Sequence, residues 1–410
     1  MFVLSSMTEK AATARIPIHT REVLSTSDTV KRLDAIDTSA WSVHIEAMKR
    51  KQAGEAIIPL SIGDPDFPTP SYIIEGVIDA LKKERTHYSD SAGEMSLRSA
   101  LAELECGVTG KEIKPKQFSI FNGATSAIHG TLSAIANPGD NIVTCQPTYL
   151  GYESTFVCLG VELRAAATTP PYFRYDVDRT LELIDERTVG VLVNTPSNPM
   201  GNIVPPESLI RLYEECRRRN LWLISDEVYS VMYYEKKHTS LAKLAPDFDN
   251  VVVIDSLSKS HAMSGWRVGW TLSSEEFARQ LREIALGTFF SGCPFIQDAA
   301  TLALLHDEHA VERMRNEYRA RRDYTMSRIA QIPKFSAVSP EAGMFVMIDV
   351  HEPSDQFARR LLDGTGVSVV PGTPSGMVTR RYVRMSLTQP IPVLTEAWDR
   401  IQAWLERESS

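Results

Sequence analysis

No apolar run in this 410-residue chain is long enough to span a bilayer. The opening MFVLSSMTEKAATARIPIHT lacks the basic start and long apolar stretch of a secretory signal, so a cytoplasmic protein with no membrane attachment is expected. Excess positive charge is also missing. The 44 Lys and Arg against 52 Asp and Glu leave a net charge of −8, which argues against an electrostatic nucleic-acid binder. The basic runs RRRN at 217–220 and RARRD at 319–323 read as solvated helix faces. Cysteine is sparse: Cys106, Cys145, Cys158, Cys216 and Cys293 are odd in number and none has metal-ligand spacing. Neither a disulfide framework nor a metal site is expected. There is no internal repeat and no low-complexity tract.

What is present is an alternation of short apolar runs with amphipathic ones from about residue 57. FSIF (118–121), NIVTC (141–145), VGVLV (189–193), LWLIS (221–225), VVVID (251–255) and VGWTL (268–272) read as strands. ATSAIHGTLSAIA (124–136), SLIRLYEECRRR (208–219) and EEFARQLREIAL (275–286) read as helices. Strands that are apolar throughout, interleaved with helices, predict a mostly parallel sheet covered on both faces. Beyond about residue 295 a long charged helix, then MFVMIDV, VSVV and YVRMSL, and a final helix read as a smaller α+β unit. The expected division is an N-terminal arm that begins the small domain (1–55), a large domain (56–295) and a small C-terminal domain (296–410).

In such sheets, ligands bind beyond the carboxyl ends of the strands. The conspicuous polar residues fall at those ends. NGATSA follows FSIF; Gly123 permits a tight turn, and the N–H groups of Ala124 and Thr125 at a helix start form either an anion site or a plain helix cap. NTPSNPMG follows VGVLV and reads as a loop in which two prolines flank Asn198. Asp226 follows LWLIS, as a cap or as a carboxylate for a protonated nitrogen. SLSKSHAMSGWRVGW follows VVVID. Its Lys259 either snorkels to water or is desolvated to act as a nucleophilic amine. Ser256 and Arg267 suit a phosphate. A Schiff-base lysine, a carboxylate for a ring nitrogen and a phosphate cup together describe pyridoxal 5'-phosphate.

The motifs LSIGDPDFPTP, HYSDSAGEMSLR, NGATSA, QPTYLGY, NTPSNPMG, SDEVY, SLSKSHAMSGWRVGW and YVRMSL occur in this order over about residues 55–405. On them the chain resembles the fold-type I, aspartate-aminotransferase-like enzymes that use pyridoxal phosphate. Its wording in SLSKSHAMSGWRVGW, FIQDAA and GMFVMIDV is most similar to their arginine:pyruvate aminotransferase branch. The resemblance implies a large domain with a seven-stranded, mostly parallel sheet, a smaller domain and a homodimer. It implies that Lys259 links the cofactor and moves the substrate proton. Asp226 then partners the pyridine nitrogen, and Tyr229 and Asn198 bind the phenolic oxygen. Tyr149 stacks on the ring. Gly123, Ala124, Thr125, Ser256 and Arg267 hold the phosphate, with Tyr88 reaching in from the other subunit. Arg384 grips the substrate α-carboxylate, with Gly63 and Asn198 beside it.

The implied reaction is transfer of an amino group between an L-amino acid and a 2-oxo acid; elimination, racemisation or amino-acid oxidation are alternatives on the same fold. A PLP-binding regulator is disfavoured, because the first 55 residues carry no helix-turn-helix and no basic patch. Two departures stand out. Met200 replaces the family's threonine and is expected to point away from the chemistry. PGTPSG (371–376) has Ser375 in place of an aromatic, which is expected to leave room for a bulkier guanidino side chain, as in specialised metabolite biosynthesis. Asp64 and Asp66 in GDPDFP are either turn caps or an acidic patch for a guanidinium.

Overall fold

The computed structural model describes residues 25–36, 39–306 and 309–408. The first 24 residues of the expected arm lie outside them. Strand β1 (Ile58–Pro59) comes first. Seven further strands form the large sheet: β2 (Phe118–Phe121), β3 (Asn141–Cys145), β4 (Glu162–Ala166), β5 (Thr188–Asn194), β6 (Trp222–Asp226), β7 (Val251–Ser256) and β8 (Gly269–Leu272). Their order is β2-β8-β7-β6-β5-β3-β4. β8 alone runs against its neighbours; it pairs antiparallel with both β2 and β7. All other pairings in this sheet are parallel.

The apolar strands are buried because helices cover both faces. Successive residues alternate between two cores. Val191, Val193, Leu223, Val251 and Val253 pack into one. Leu192, Ile224, Val252 and Ile254 pack into the other. Strand β4 was not expected from the sequence. Its residues ELRAA are partly polar, and the strand lies at the sheet edge, where one side needs no apolar cover.

A four-stranded antiparallel sheet follows, in the order β12 (Val370–Pro371), β13 (Tyr382–Ser386), β10 (Phe345–Asp349), β9 (Ser336–Ala337). β11 (Val367–Ser368) pairs in parallel with β1, so residues before the large sheet join elements after it. Val43 and Ala47, on the helix Ser39–Gln52, share a core with Phe345, Trp398 and Ile401.

The run 319–323 is not a solvated face. Arg321 and Arg322 are buried. Arg321 pairs with Asp66 at 2.7 Å and Glu317 at 3.0 Å, and Arg322 pairs with Glu235 and Asp323. Both guanidinium groups lie over tyrosine rings, Tyr318 and Tyr234. Their planar, weakly hydrated heads tolerate this burial once paired. The run 217–220 behaves as expected, with Arg217 bonded to Asp247 and Arg218 and Arg219 to Glu215 at the surface.

Candidate active site

The parallel strands β5, β6 and β7 end side by side, so one edge of the sheet receives the groups that follow each of them. Asn194 ends β5, Asp226 ends β6, and Ser256 ends β7 one turn before Lys259. They line a cavity of about 490 Å³. Gly63, Ala124, Thr125, Tyr149, Asn198, Tyr229, Arg267 and Arg384 line it too. Of the residues expected at the site, Gly123 and Tyr88 are not among the lining; Gly123 immediately precedes Ala124, which is. Tyr88 is 86% exposed, with its ring 4.6 Å from that of Phe290.

Lys259 Nζ donates to the carbonyl oxygen of Gly63 at 2.5 Å. Burial disfavours its ammonium, and the positive Arg384 and Arg267 add to this while Asp64 opposes it; the amine is lowered to about 8. Asp226 is 3% exposed. Burial raises its carboxyl to about 6, against the hydrogen bond from Tyr152 that favours the anion. Its neighbour Glu227 turns the other way, accepting from Ser225 Oγ at 2.7 Å and pairing with His238.

At one end of the cavity, Gly123 caps the helix Ala124–Ile135 with φ +88°, and no side chain caps that terminus. A Cβ at Gly123 would run into the Arg267 guanidinium. Arg267 donates to the carbonyls of Ser264 at 2.7 Å and Asn122 at 3.1 Å, which fixes it over the helix start. Uncapped N–H groups, a helix dipole and a cation together favour an anion such as a phosphate. The Ser256 hydroxyl lies nearby, accepting from the Ser258 N–H at 3.4 Å.

At the other end, Arg384 is 4% exposed. It donates to Asn198 Oδ1 at 3.0 Å and to the Ser61 carbonyl at 3.1 Å, and its guanidinium lies 4.2 Å from the Phe345 ring centroid. Its Nε is buried with no hydrogen-bond partner. Burial lowers its guanidinium to about 10, with Tyr229 and Tyr149 opposing. Asn198 Nδ2 lies 3.5 Å from the Tyr229 hydroxyl, and its backbone N–H is held by Asn194 Oδ1 at 2.7 Å. Gly63 presses on the Phe345 ring, where a Cβ would not fit. Phe345, Asn194, Trp41 and Tyr152 were not expected at the site from the sequence. Tyr152 stands in the quoted QPTYLGY, three positions after Tyr149, in the first turn of the helix Gly151–Leu159.

Asp64 and Asp66 do not form one acidic patch. Asp64 lines the cavity and accepts from Ser264 Oγ, whereas Asp66 is taken up by buried Arg321. Neither caps the local turn. Ser375 is 5% exposed, is not among the lining residues, and accepts the Thr148 N–H on its carbonyl at 2.8 Å. Met200 does point away, into a cluster with Phe173, Met347 and Tyr382. Among the described residues no group of histidine, cysteine and carboxylate side chains is placed to hold a metal, and no helix is long and apolar enough to cross a membrane.

Residues 55–401 match the family model of aminotransferase class I and II. An arginine–pyruvate transaminase of Pseudomonas aeruginosa is 36% identical over 379 residues, which is 92% of this chain and 96% of that protein. An aspartate aminotransferase of Thermotoga maritima is 33% identical, over 86% of this chain and 92% of that protein. The crystal structure of a Thermotoga maritima aspartate aminotransferase superposes with a TM-score of 0.88 at 30% identity, covering 93% of this chain and all of that one. An alanine aminotransferase from Pyrococcus furiosus superposes with a TM-score of 0.87 at 26% identity, covering 93% of this chain and all of that one.

Proposed function

This chain belongs to the class I and II aminotransferases, a pyridoxal-phosphate-dependent family, and from that premise we propose how its own residues divide the work and which substrate they favour. The cofactor supplies an electron sink for the bond broken at the substrate α-carbon. Its fit is supported by the uncapped helix start that Gly123 keeps open, by Arg267 above it, and by a buried carboxylate, Asp226, on the same wall. Lys259 would hold the cofactor covalently at rest and be released as the free amine when the substrate's amino group takes its place. Asp226 keeps the pyridine nitrogen protonated. Tyr229 and Asn198 bind the phenolic oxygen, and Tyr149 covers the ring. The Gly123–Thr125 backbone, Ser256 and Arg267 bind the phosphate.

Arg384 takes the substrate α-carboxylate with Asn198 and Gly63 beside it. Its orphaned Nε is the observation that carries this reading, since a buried guanidinium N–H without an acceptor calls for one. So held, the Cα–H faces Nζ of Lys259. That amine, lowered to about 8, is near enough to neutral to accept the proton and return it.

For the side chain we propose a guanidino amino acid or its 2-oxo acid. Among the described lining residues of one subunit the cations are Lys259, Arg267 and Arg384, each with a task. Asp64 is the lining carboxylate left over once Asp226 is assigned. A carboxylate–guanidinium pair is stronger than a neutral hydrogen bond. The likeness to an arginine–pyruvate transaminase points the same way. The working form is a cytoplasmic homodimer, in which the exposed Tyr88 completes the phosphate site of its partner. The test is a competition among arginine, aspartate, alanine and phenylalanine, with products identified by mass. Arginine leads in kcat/KM on this proposal; if aspartate, alanine or phenylalanine beats arginine, the substrate assignment fails.

A further inference from the structure

Tyr152 has no role in the assignments above, yet it makes the shortest contact to Asp226. Its hydroxyl donates to Asp226 Oδ2 at 2.5 Å, and both side chains are buried. The other donor to this carboxylate is the backbone N–H of Val228, at a long 3.4 Å from Oδ1. Tyr152 is one turn along the chain from Tyr149, and their rings meet edge to face with centroids 5.3 Å apart. One short segment therefore supplies both the ring over the cavity and a donor to the carboxylate on its wall.

The other polar groups around Asp226 leave its side chain alone. Glu227 is turned to Ser225, His238 and the Leu241 N–H. Asn194 Nδ2 binds the Asp226 backbone carbonyl. Tyr229 is directed to Asn198, and Lys259 to Gly63.

We propose that Tyr152 is the positioning residue for Asp226: its hydroxyl holds the buried carboxylate as the anion and leaves the second oxygen for the cofactor's pyridine nitrogen. This rests on the role assigned to Asp226 above. Burial favours the neutral acid, and an O–H donor stabilises the charged form more than the neutral one. A phenol does this without neutralising the carboxylate. An arginine or lysine in its place would pair with Asp226 and weaken its hold on a pyridinium.

The test uses apoenzyme and pyridoxamine 5'-phosphate, which carries the pyridine nitrogen but cannot link to Lys259. Its dissociation constant is followed by tryptophan fluorescence from pH 5 to 9 in wild type, Tyr152→Phe and Asp226→Asn. Tyr152→Phe removes one oxygen and keeps the ring, and its fold is checked by circular dichroism. Wild-type binding weakens as pH falls through about 6, the value at which Asp226 takes up a proton. In Tyr152→Phe that acid limb moves up by about one pH unit, because the anion has lost its donor. A role in packing alone would leave the limb in place. If Tyr152→Phe keeps the wild-type limb while Asp226→Asn loses it, the inference about Tyr152 is overturned and the Asp226 assignment stands. If Asp226→Asn keeps the limb, both are overturned.

Discussion

Nζ of Lys259 lies 2.5 Å from the carbonyl oxygen of Gly63, 196 positions earlier in the chain. One carbonyl does not replace the hydration shell that a buried ammonium loses. This is why the amine is lowered to about 8 rather than raised by its hydrogen bond. Amine-directed modification of apo Lys259 is therefore expected to titrate with a midpoint near 8. The folded protein holds this proton less tightly than the unfolded chain does. The resulting penalty is present below pH 8 and is relieved as pH rises from 8 toward 10.5. Apo wild type should gain stability relative to apo Lys259→Met across that window. Lys259→Ala should abolish turnover while cofactor binding persists weakly; substantial residual turnover would remove the lysine from the mechanism.

Asp226→Asn is expected to separate stability from activity. The folded carboxyl is raised from 3.8 to about 6. Its stabilisation is present below the unfolded value and lost as pH rises through 6, so at pH 8 the ionised aspartate is a cost to the apo fold. Asparagine carries no charge and can still accept from Tyr152. Apo Asp226→Asn should be more stable than apo wild type at pH 8 by about 3 kcal/mol, while kcat collapses. Thermal unfolding of the two apoenzymes, run beside steady-state kinetics, checks both halves. An unchanged kcat would leave Asp226 as a structural group.

The two aspartates of GDPDFP should respond differently. Asp64→Asn removes a lining charge and should raise KM for arginine severalfold with little change in melting temperature. Asp66→Ala strips one partner from Arg321, which is 3% exposed but keeps Glu317 and the Leu387 carbonyl. The loss should be about 1–3 kcal/mol of stability, with KM for arginine unchanged. Equal effects on KM would restore the single acidic patch.

Arg384→Lys keeps the charge and loses the fork. Lysine cannot satisfy Asn198, the Ser61 carbonyl and a carboxylate from one plane, nor lie flat on Phe345. A fall of roughly tenfold to a hundredfold in kcat/KM is expected, matching the loss of one hydrogen bond to a charged group. It should be shared by every amino-acid donor, since all carry the α-carboxylate. A loss confined to arginine would place Arg384 at the side chain instead.

Much of this protein is legible in its sequence, for local reasons. Continuous apolar runs such as VVVI mark strands buried on both faces, and the polar residue after each run must emerge at the sheet edge, as Asp226 and Lys259 do. Gly123 marks a left-handed turn that only glycine takes cheaply. Asp226 ends β6 and reaches the cavity, whereas Glu227, just past the strand, turns to His238. What the sequence leaves open depends on partners far along the chain. Asp64 and Asp66 are two residues apart and equivalent in composition; only the return of Arg321, 255 positions later, separates them. Arg321 and Arg322 read as surface charge until aromatic rings and carboxylates from other elements are placed around them. Spacing sets the secondary structure and which groups reach the sheet edge. The energy of a buried charge is set by what the fold brings against it, and that is decided in three dimensions.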